Sequence, residues 1–465
     1  MANKNKRSPF SKALVHVNLS HIPGPRGLLF FNYVKLFQNN ILGAFTRVYR
    51  DYGHIASFPW PMNSIIIYSP SFAKKVLVES SKNYIKGEQI EELRAVVGNG
   101  LATNNDHESW KKSRSIISKV FTKNAVDSFC PKFEQLTLNL FENWLSRFEN
   151  KTWTTDICEQ MKFLTFNIAA QTLLGANLDE KNASIVNKAV HFTSIVTYER
   201  IFKFFPLPYW LPTKTHREFH QHFNSMNEIV LNIINDEKNN PSNPDERSIL
   251  QRLVHAHDEE TGHRFSQTEL RDEALTLMLA GHETSAHSLT WIIGLLAKNT
   301  TVQRRLQQEI DLFDDIKSNE IFEKMTYLQA IIKEGMRLYP AFPVLSRKAN
   351  GEDQIGDYHI PKNTNVVIPI FVMQRSEEFW DRPLDFDPER FTNGENDRTY
   401  KSLPFSRGPR RCVAETFAMV EMSIILFHLF KRYNVELIQK DLPEAVASVS
   451  LKPLDGMPVR LTLRS

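Results

Sequence analysis

Hydrophobic and polar positions divide the chain into a long helical middle and two strand-rich ends. Between about residues 71 and 339 the pattern is mostly helical, with few prolines to interrupt it. A hairpin is predicted around Gly356-Asp357, because these turn residues separate two short runs of strand-forming residues. Further strands are predicted within residues 57–70, 364–370 and 446–463. The pattern predicts a mainly α fold with a smaller β-rich portion.

One long helix carries polar residues in its middle. It opens with the capping box Ser266-x-x-Glu269 and is predicted to end near Lys298, a length of ~45 Å. Its otherwise apolar centre contains the segment Ala280-Gly281-His282-Glu283-Thr284. A buried acid beside an alcohol suits a groove that holds a small ligand and relays protons. The alternative is a tolerated glycine flanked by surface polar residues.

A second helix is predicted to follow a loop that ends in a cysteine. The loop runs Phe405-Ser406-Arg407-Gly408-Pro409-Arg410-Arg411-Cys412, and Ala414 follows shortly after it. A thiolate at a helix N-terminus is favoured by the helix dipole and the free backbone N–H groups. Arg410 adds a nearby cation, so the place suits a metal-bound thiolate. The alternative is a lone buried cysteine, which is common.

Composition narrows the class of protein. The 465 residues include 57 basic and 53 acidic ones, a net charge of +4, which is too small to favour nucleic acid as a partner. The three cysteines, Cys130, Cys158 and Cys412, form no CxxC pair, which favours a reducing compartment and a cytoplasmic protein. No apolar run reaches 18 residues, so no transmembrane anchor is predicted. Residues 1–22 are predicted to be a flexible basic lead-in, with contact to a membrane surface as an alternative, and residues 23–465 a single domain.

Four motifs together resemble the cytochrome P450 family. The loop before Cys412 is similar to the family's haem-thiolate signature Phe-x-x-Gly-x-Arg-x-Cys, although Ala414 stands where the family usually has glycine. The long helix matches the family's Ala-Gly-x-Glu/Asp-Thr. The remaining two motifs are Trp110-x-x-x-Arg114 and Glu334-x-x-Arg337, the latter joined by Arg390 of Pro388-Glu389-Arg390-Phe391. Their order along the chain is that of the family.

The resemblance implies roles for individual residues. It implies that Cys412 is the axial ligand of haem iron, and that Thr284 and Glu283 are catalytic residues that supply protons. The residues implied to bind the cofactor are Trp110, Arg114, Ala280, Gly281, Arg347, Phe405, Gly408, Arg410, Cys412 and Ala414. Residues Glu334, Arg337 and Arg390 are implied to form a buried structural network. The implied substrate pocket contains Leu277, Phe342, Val344, Leu345 and Val449. We expect His282 and His287 to be outward-facing or packing residues.

The function implied is hydroxylation of a C–H bond by a haem-thiolate monooxygenase. The cofactor would be haem b (iron protoporphyrin IX), with O₂ as co-substrate and electrons ultimately from NAD(P)H. The chain contains no Gly-rich flavin or nicotinamide motif. We therefore expect a monomer that receives electrons from a separate ferredoxin and its reductase, or from a flavoprotein reductase.

The substrate is predicted to be hydrophobic. The residues within these motifs resemble those of the fatty-acid-hydroxylating branches of the family, which makes a fatty acid the first candidate and a terpenoid the second. An aromatic-rich segment could line an entrance or touch a membrane: Phe202, Phe204, Phe205, Leu207, Tyr209 and Trp210. Two other functions stay open. One is a haem-thiolate isomerase, dehydratase or peroxygenase that needs no electron partner, and the other is a non-catalytic haem-binding sensor.

Overall fold

Helices make up most of the computed structural model, which describes residues 16–175, 180–201, 207–313, 315–394, 396 and 399–464. The helices, α1 to α17 in chain order, are Leu28–Asn39, Ile41–Tyr52, Pro70–Lys74, Glu88–Val97, His107–Val120, Lys123–Asp127, Cys130–Leu145, Ile157–Ala169, Glu180–Ile201, Lys214–Asn239, Ile249–His255, Gln267–Lys298, Thr300–Asp311, Ser318–Lys324, Thr326–Leu338, Ile370–Met373 and Glu415–Arg432. The predicted mainly α fold is thereby confirmed.

The strands form small sheets that draw on distant parts of the chain. Strands β1 to β12 are Ile55–Phe58, Ser64–Ile67, Tyr84–Lys86, Thr152–Asp156, Leu345–Ala349, Asp353–Ile355, Tyr358–Ile360, Asn365–Ile368, Tyr433–Leu437, Ala445–Ala447, Leu451–Pro453 and Pro458–Leu463. The largest sheet has five strands in the order β1-β2-β8-β5-β3. A three-stranded sheet has the order β4-β12-β9, and two hairpins join β6 to β7 and β10 to β11.

Helix α12 forms the axis of the helical core. Its Ser266 side chain and Glu269 make the predicted capping box, and the helix ends at Lys298 as predicted. Helices α8, α10, α15 and α17 all pack against it. Residues on every side of α12 are buried, which is the property of a central helix and not of an amphipathic surface helix.

The predicted strands within 57–70, 364–370 and 446–463 and the hairpin at Gly356-Asp357 are all present. Strands β3 and β4 lie inside the stretch predicted to be mostly helical. Both are short, three and five residues, and a strand of that length leaves almost no period-two signal. Their existence depends on partners elsewhere in the chain, β5 for β3 and β12 for β4.

The N-terminal lead-in is described from residue 16 onward. Here Val17, Leu19 and Ile22 are buried against the five-stranded sheet. The Arg26 guanidinium donates to the carbonyl oxygens of Leu19 and Ile22 at 3.1 and 2.9 Å. This end of the lead-in therefore packs on the sheet. Among the described residues, no helix combines the length and the apolar character that crossing a bilayer requires.

Candidate active site

The middle of α12 contains an uncovered position. Met278 and His282 of this helix are buried, yet Ala280 between them is exposed. Although helices pack around α12, Ala280 is a position that they leave uncovered. A Cβ atom added at Gly281 would lie 2.9 Å from the Leu173 side chain, so glycine is required for close packing on the neighbouring side. In this pair Ala280 is exposed, whereas Gly281 packs closely against Leu173.

The Cys412 loop leads into helix α17, which packs against α12. Ser406 and Gly408 have positive φ angles of 61° and 76°, and a Cβ atom at Gly408 would lie 2.0 Å from the Leu77 carbonyl oxygen. At position 408 only glycine allows both the positive φ angle and the close approach to Leu77. The Cys412 N–H donates to the Phe405 carbonyl at 3.0 Å and closes the loop. Helix α17 begins at Glu415, three residues beyond Cys412. Cys412 is predicted at the start of this helix and lies within one turn of it.

The surroundings of Cys412 suit a bound cation. Its side chain is solvent-accessible, yet burial is the largest influence on the thiol and raises its pKa. Both observations hold if the sulfur lies deep in the fold and borders an internal space. The Ala414 N–H and the guanidinium groups of Arg114 and Arg411 act in the opposite direction, toward the thiolate. A metal ion at the sulfur would complete this stabilisation, because metals bind the deprotonated form.

Arg114, Arg347 and Arg410 lie near the cysteine, and none of them pairs with a carboxylate among the described residues. The Arg410 guanidinium lies 4.1 Å from the centre of the Trp110 ring and donates to the Asn104 carbonyl at 2.7 Å. Arg114 donates to the Arg411 carbonyl at 2.8 Å. Arg347 is buried, and within the described residues its guanidinium donates to the neighbouring Ser346 carbonyl alone. These contacts show that the arginines are held by backbone oxygens, which carry no net charge.

The electrostatics of the cluster indicate a missing counter-charge. Burial lowers the pKa of both Arg347 and Arg410 to about 10, and for Arg347 the charge of Arg410 contributes. In the described part of the chain no carboxylate forms an ion pair with Arg114, Arg347 or Arg410. Buried charges are normally paired. A ligand with carboxylate groups, such as the propionates of haem, therefore fits this place.

Lys86 is a further basic residue of the cluster that sequence reasoning missed. It lies directly opposite Arg347 in the antiparallel pair β3–β5, and directly opposed residues share one face of a sheet. Burial lowers its pKa well below the usual value, followed by the charges of Arg347 and Arg410. No local pattern marks this lysine, because its neighbours come from β5 and from the Cys412 loop. Only a prediction of the β3–β5 pairing could have found it.

Thr284 and Glu283 occupy the α12 turn after Ala280. The Thr284 hydroxyl donates to the Ala280 carbonyl at 2.7 Å, within the helix. Burial raises the pKa of Glu283, but nearby bases outweigh burial, His191 first and then His282 and His287, so the net shift is downward. Glu283 is thus held as a carboxylate. The two side chains have the acid and alcohol chemistry of a proton relay.

The histidines of α12 are packing residues, and the outward-facing alternative is wrong. His282 and His287 are both buried. His282 Nδ1 lies 3.0 Å from the Met278 carbonyl oxygen, and His287 Nδ1 lies 2.6 Å from Ser450 Oγ. Burial lowers the pKa of both imidazoles, that of His287 to about 4. The Ser450 contact joins α12 to the β10–β11 turn.

The structure brings Glu334, Arg337 and Arg390 together. Arg337 makes two hydrogen bonds to the Glu334 carboxylate, at 2.7 and 2.8 Å, and both side chains are fully buried. Arg390 Nε donates to Glu334 Oε1 at 3.3 Å. Arg337 also donates to the carbonyl oxygens of Gln374 and Pro383, at 2.7 and 2.8 Å. This network ties α15 to the irregular segment that leads to the Cys412 loop.

The predicted pocket residues lie in several places. Leu277 is buried in the helical core, one turn before Ala280, and Val449 is half-buried in the β10–β11 turn. Leu345 packs against the five-stranded sheet, Val344 packs against the cluster of α1 and α2, and Phe342 is 39% exposed. Of the aromatic-rich segment, Phe202, Phe204 and Phe205 lie outside the described residues.

The mainly α fold with small sheets is that of a class of haem-dependent enzymes. The chain belongs to the cytochrome P450 family, whose model matches residues 22–456. It is accordingly a monooxygenase that uses haem iron, O₂ and electrons from a reductant. The predicted family and enzyme class are thereby confirmed.

Several curated relatives are similar over most of the chain. Cytochrome P450 97B2, chloroplastic, from Glycine max is 27% identical over 464 residues, covering 87% of this chain and 80% of the relative. Cytochrome P450 4V2 from Mus musculus is 26% identical over 466 residues, covering 93% and 86%. Cytokinin hydroxylase from Arabidopsis thaliana is 27% identical over 379 residues, covering 80% and 72%.

Proposed function

We propose that this protein hydroxylates a C–H bond of a hydrophobic substrate, a fatty acid ahead of a terpenoid, with haem b as cofactor. The observation that carries the proposal is the unbalanced charge at the site. Lys86, Arg114, Arg347 and Arg410 gather near Cys412 without a carboxylate partner among the described residues. Two propionates and one iron–sulfur bond would satisfy these groups.

Cys412 would hold the iron through its thiolate, and Trp110 and the basic cluster would hold the propionates. Charge-assisted hydrogen bonds from arginine to carboxylate are the strong, oriented kind, which explains the arginines. When bound, haem supplies the activation of O₂, and a thiolate ligand favours cleavage of the O–O bond. The residues of the chain contribute position and protons.

Proton supply would fall to Glu283 and Thr284. Glu283 is a partly buried carboxylate with basic neighbours, so it can take up a proton from one side and release it to the other. The Thr284 hydroxyl can donate one hydrogen bond and accept others at the Ala280 end of the groove. Removing this hydroxyl should leave the cofactor bound but divert electrons from product to hydrogen peroxide.

Electrons would come ultimately from NAD(P)H through a separate ferredoxin system or flavoprotein reductase. The absence of a Gly-rich flavin or nicotinamide motif from the sequence supports a separate donor. The name of one relative, cytokinin hydroxylase, supports hydroxylation as the type of reaction. The apolar character of Leu277, Val449 and their neighbours supports a hydrophobic substrate.

The test uses the purified protein after reduction and exposure to carbon monoxide. Thiolate ligation predicts a strongly red-shifted Soret band, and Cys412→Ser should abolish that band while leaving the secondary structure intact. A titration with fatty acids and terpenoids, followed by the change in iron spin state, then ranks the substrates. Product formation without any reductant would contradict the monooxygenase and favour the isomerase or peroxygenase alternative.

A further inference from the structure

The carboxylate of Glu283 has one solvent-exposed basic neighbour on a different helix. His191 of α9 places Nδ1 3.9 Å from Glu283 Oε1. The His191 side chain is 63% exposed, whereas that of Glu283 is 14% exposed. The pair therefore spans the boundary between solvent and the interior of the fold. We propose that His191 takes up protons from solvent and passes them to Glu283, which rests on the role of Glu283 proposed above.

Each of the other basic groups around Glu283 lacks either exposure to solvent or a proton that is released near neutral pH. His282 and His287 are 4% exposed and their Nδ1 atoms are engaged by Met278 and Ser450, so neither reaches solvent. Lys162 of α8 donates to Glu159 at 2.8 Å, and an ammonium group releases its proton far above neutral pH. Imidazole is the side chain that exchanges protons with water between pH 5 and 8. His191 alone among these four neighbours combines that chemistry with exposure.

The titratable groups that act directly on the Glu283 carboxylate are all bases. Lys162 faces Glu283 from α8, and His282 and His287 face it from α12. Lys452 of β11 acts on His287, and His222 of α10 lies against Phe192, the neighbour of His191, with ring centres 4.9 Å apart. These bases hold Glu283 as a carboxylate. A carboxylate that is ionised at rest needs a donor beside it for each proton that it hands on.

The transfer itself needs little movement. A distance of 3.9 Å exceeds a direct hydrogen bond, and either one bridging water or a small rotation of the exposed imidazole closes it. A proton moves from solvent to the His191 ring, from the imidazolium to Glu283 Oε1, and from the carboxylic acid toward the Thr284 end of the groove. The neutral imidazole then takes a new proton from solvent, so both residues return to their starting states.

The test compares His191→Gln with Lys188→Gln in the haem-loaded protein. Lys188 is exposed, basic and one turn earlier on α9, so its variant controls for lost charge. With a fatty acid that shifts the spin state, the wild type and Lys188→Gln should convert a share of NADPH into product that falls as pH rises from about 6 to 8, the range in which imidazole side chains generally lose their proton. His191→Gln should show a low, flat profile and a larger solvent isotope effect, and release more hydrogen peroxide. A profile that keeps the wild-type slope overturns the inference.

A second measurement is independent of turnover. The carboxyl carbon of Glu283, labelled with ¹³C and assigned with Glu283→Gln, is titrated by NMR in the ferrous carbon monoxide form. His191→Gln should move this titration to higher pH, since His191 is the first of the groups that lower the pKa of Glu283 against its burial, and Lys188→Gln should not. An unmoved titration overturns the contact. If Thr284→Ala wastes electrons as peroxide while His191→Gln does not, the proposed function stands and only the role of His191 fails.

Discussion

A buried acid links the helix after the cysteine to the helix that carries Glu283 and Thr284. Glu421 of α17 accepts a hydrogen bond from Ser285 of α12 at 2.7 Å, and both side chains are buried. Ser285 is the residue after Thr284. Burial raises the pKa of Glu421 to about 8, although the Ser285 hydrogen bond opposes the shift. The carboxyl is therefore protonated at neutral pH, and we choose Glu421→Gln as the perturbation.

The pH dependence of stability follows from this protonation. Between pH 4.5 and about 8 the folded state keeps the Glu421 proton, whereas the unfolded chain has lost it. The folded state binds more protons, so the free energy of unfolding falls as pH rises, by about 1.4 kcal/mol per unit for this group. From pH 5.5 to 7.5 the loss is roughly 3 kcal/mol. A glutamine amide oxygen can accept the same Ser285 hydrogen bond and does not titrate, so Glu421→Gln should escape this loss.

The assay is urea unfolding followed by far-UV circular dichroism at pH 5.5, 6.5 and 7.5. From pH 5.5 to 7.5 the free energy of unfolding of Glu421→Gln should rise by roughly 3 kcal/mol relative to that of the wild type. Glu273, whose pKa is also raised to about 8 by burial, gives both proteins the same slope and cancels in the difference. Glu436→Gln, at an exposed position, should track the wild type. Parallel curves for wild type and Glu421→Gln would refute a protonated Glu421.

Three further predictions concern the site. Arg337→Met should lower the free energy of unfolding by about 3–5 kcal/mol, because it removes the buried cation that makes both short hydrogen bonds to Glu334; in the same urea assay, a loss below about 1 kcal/mol would show that Arg390 alone compensates Glu334. Thr284→Ala should retain haem but convert NADPH largely to hydrogen peroxide, and unchanged coupling would remove Thr284 from the proton relay. Lys86→Gln should speed haem transfer to apomyoglobin about tenfold or more, the loss of one charge-assisted hydrogen bond, while stabilising the haem-free protein by relieving repulsion from Arg347. Lys82→Gln, next to β3, serves as the control, and equal transfer rates would exclude Lys86 from the site.

Local pattern was sufficient for the elements that carry the chemistry. The capping box at Ser266 and Glu269 needs only residues three apart, so its prediction held. Glu334 and Arg337 are likewise one turn apart on a single helix, and their pairing follows from helical geometry alone. Gly408 is required by a backbone turn whose residues are contiguous. Helices, turns and motifs were therefore predictable because their determinants lie within a few residues of one another.

The tertiary structure decided which distant groups face one another. Lys86 meets Arg347 only because β3 pairs with β5, and no helical or strand period encodes that partner. His191 meets Glu283, and Glu421 meets Ser285, only through the packing of α9 and α17 on α12. Such contacts depend on how the whole chain buries its apolar surface, since burial is non-directional and acts over all helices at once. The sequence by itself therefore determined the kind of chemistry, whereas packing determined the charge balance and the proton connections around it.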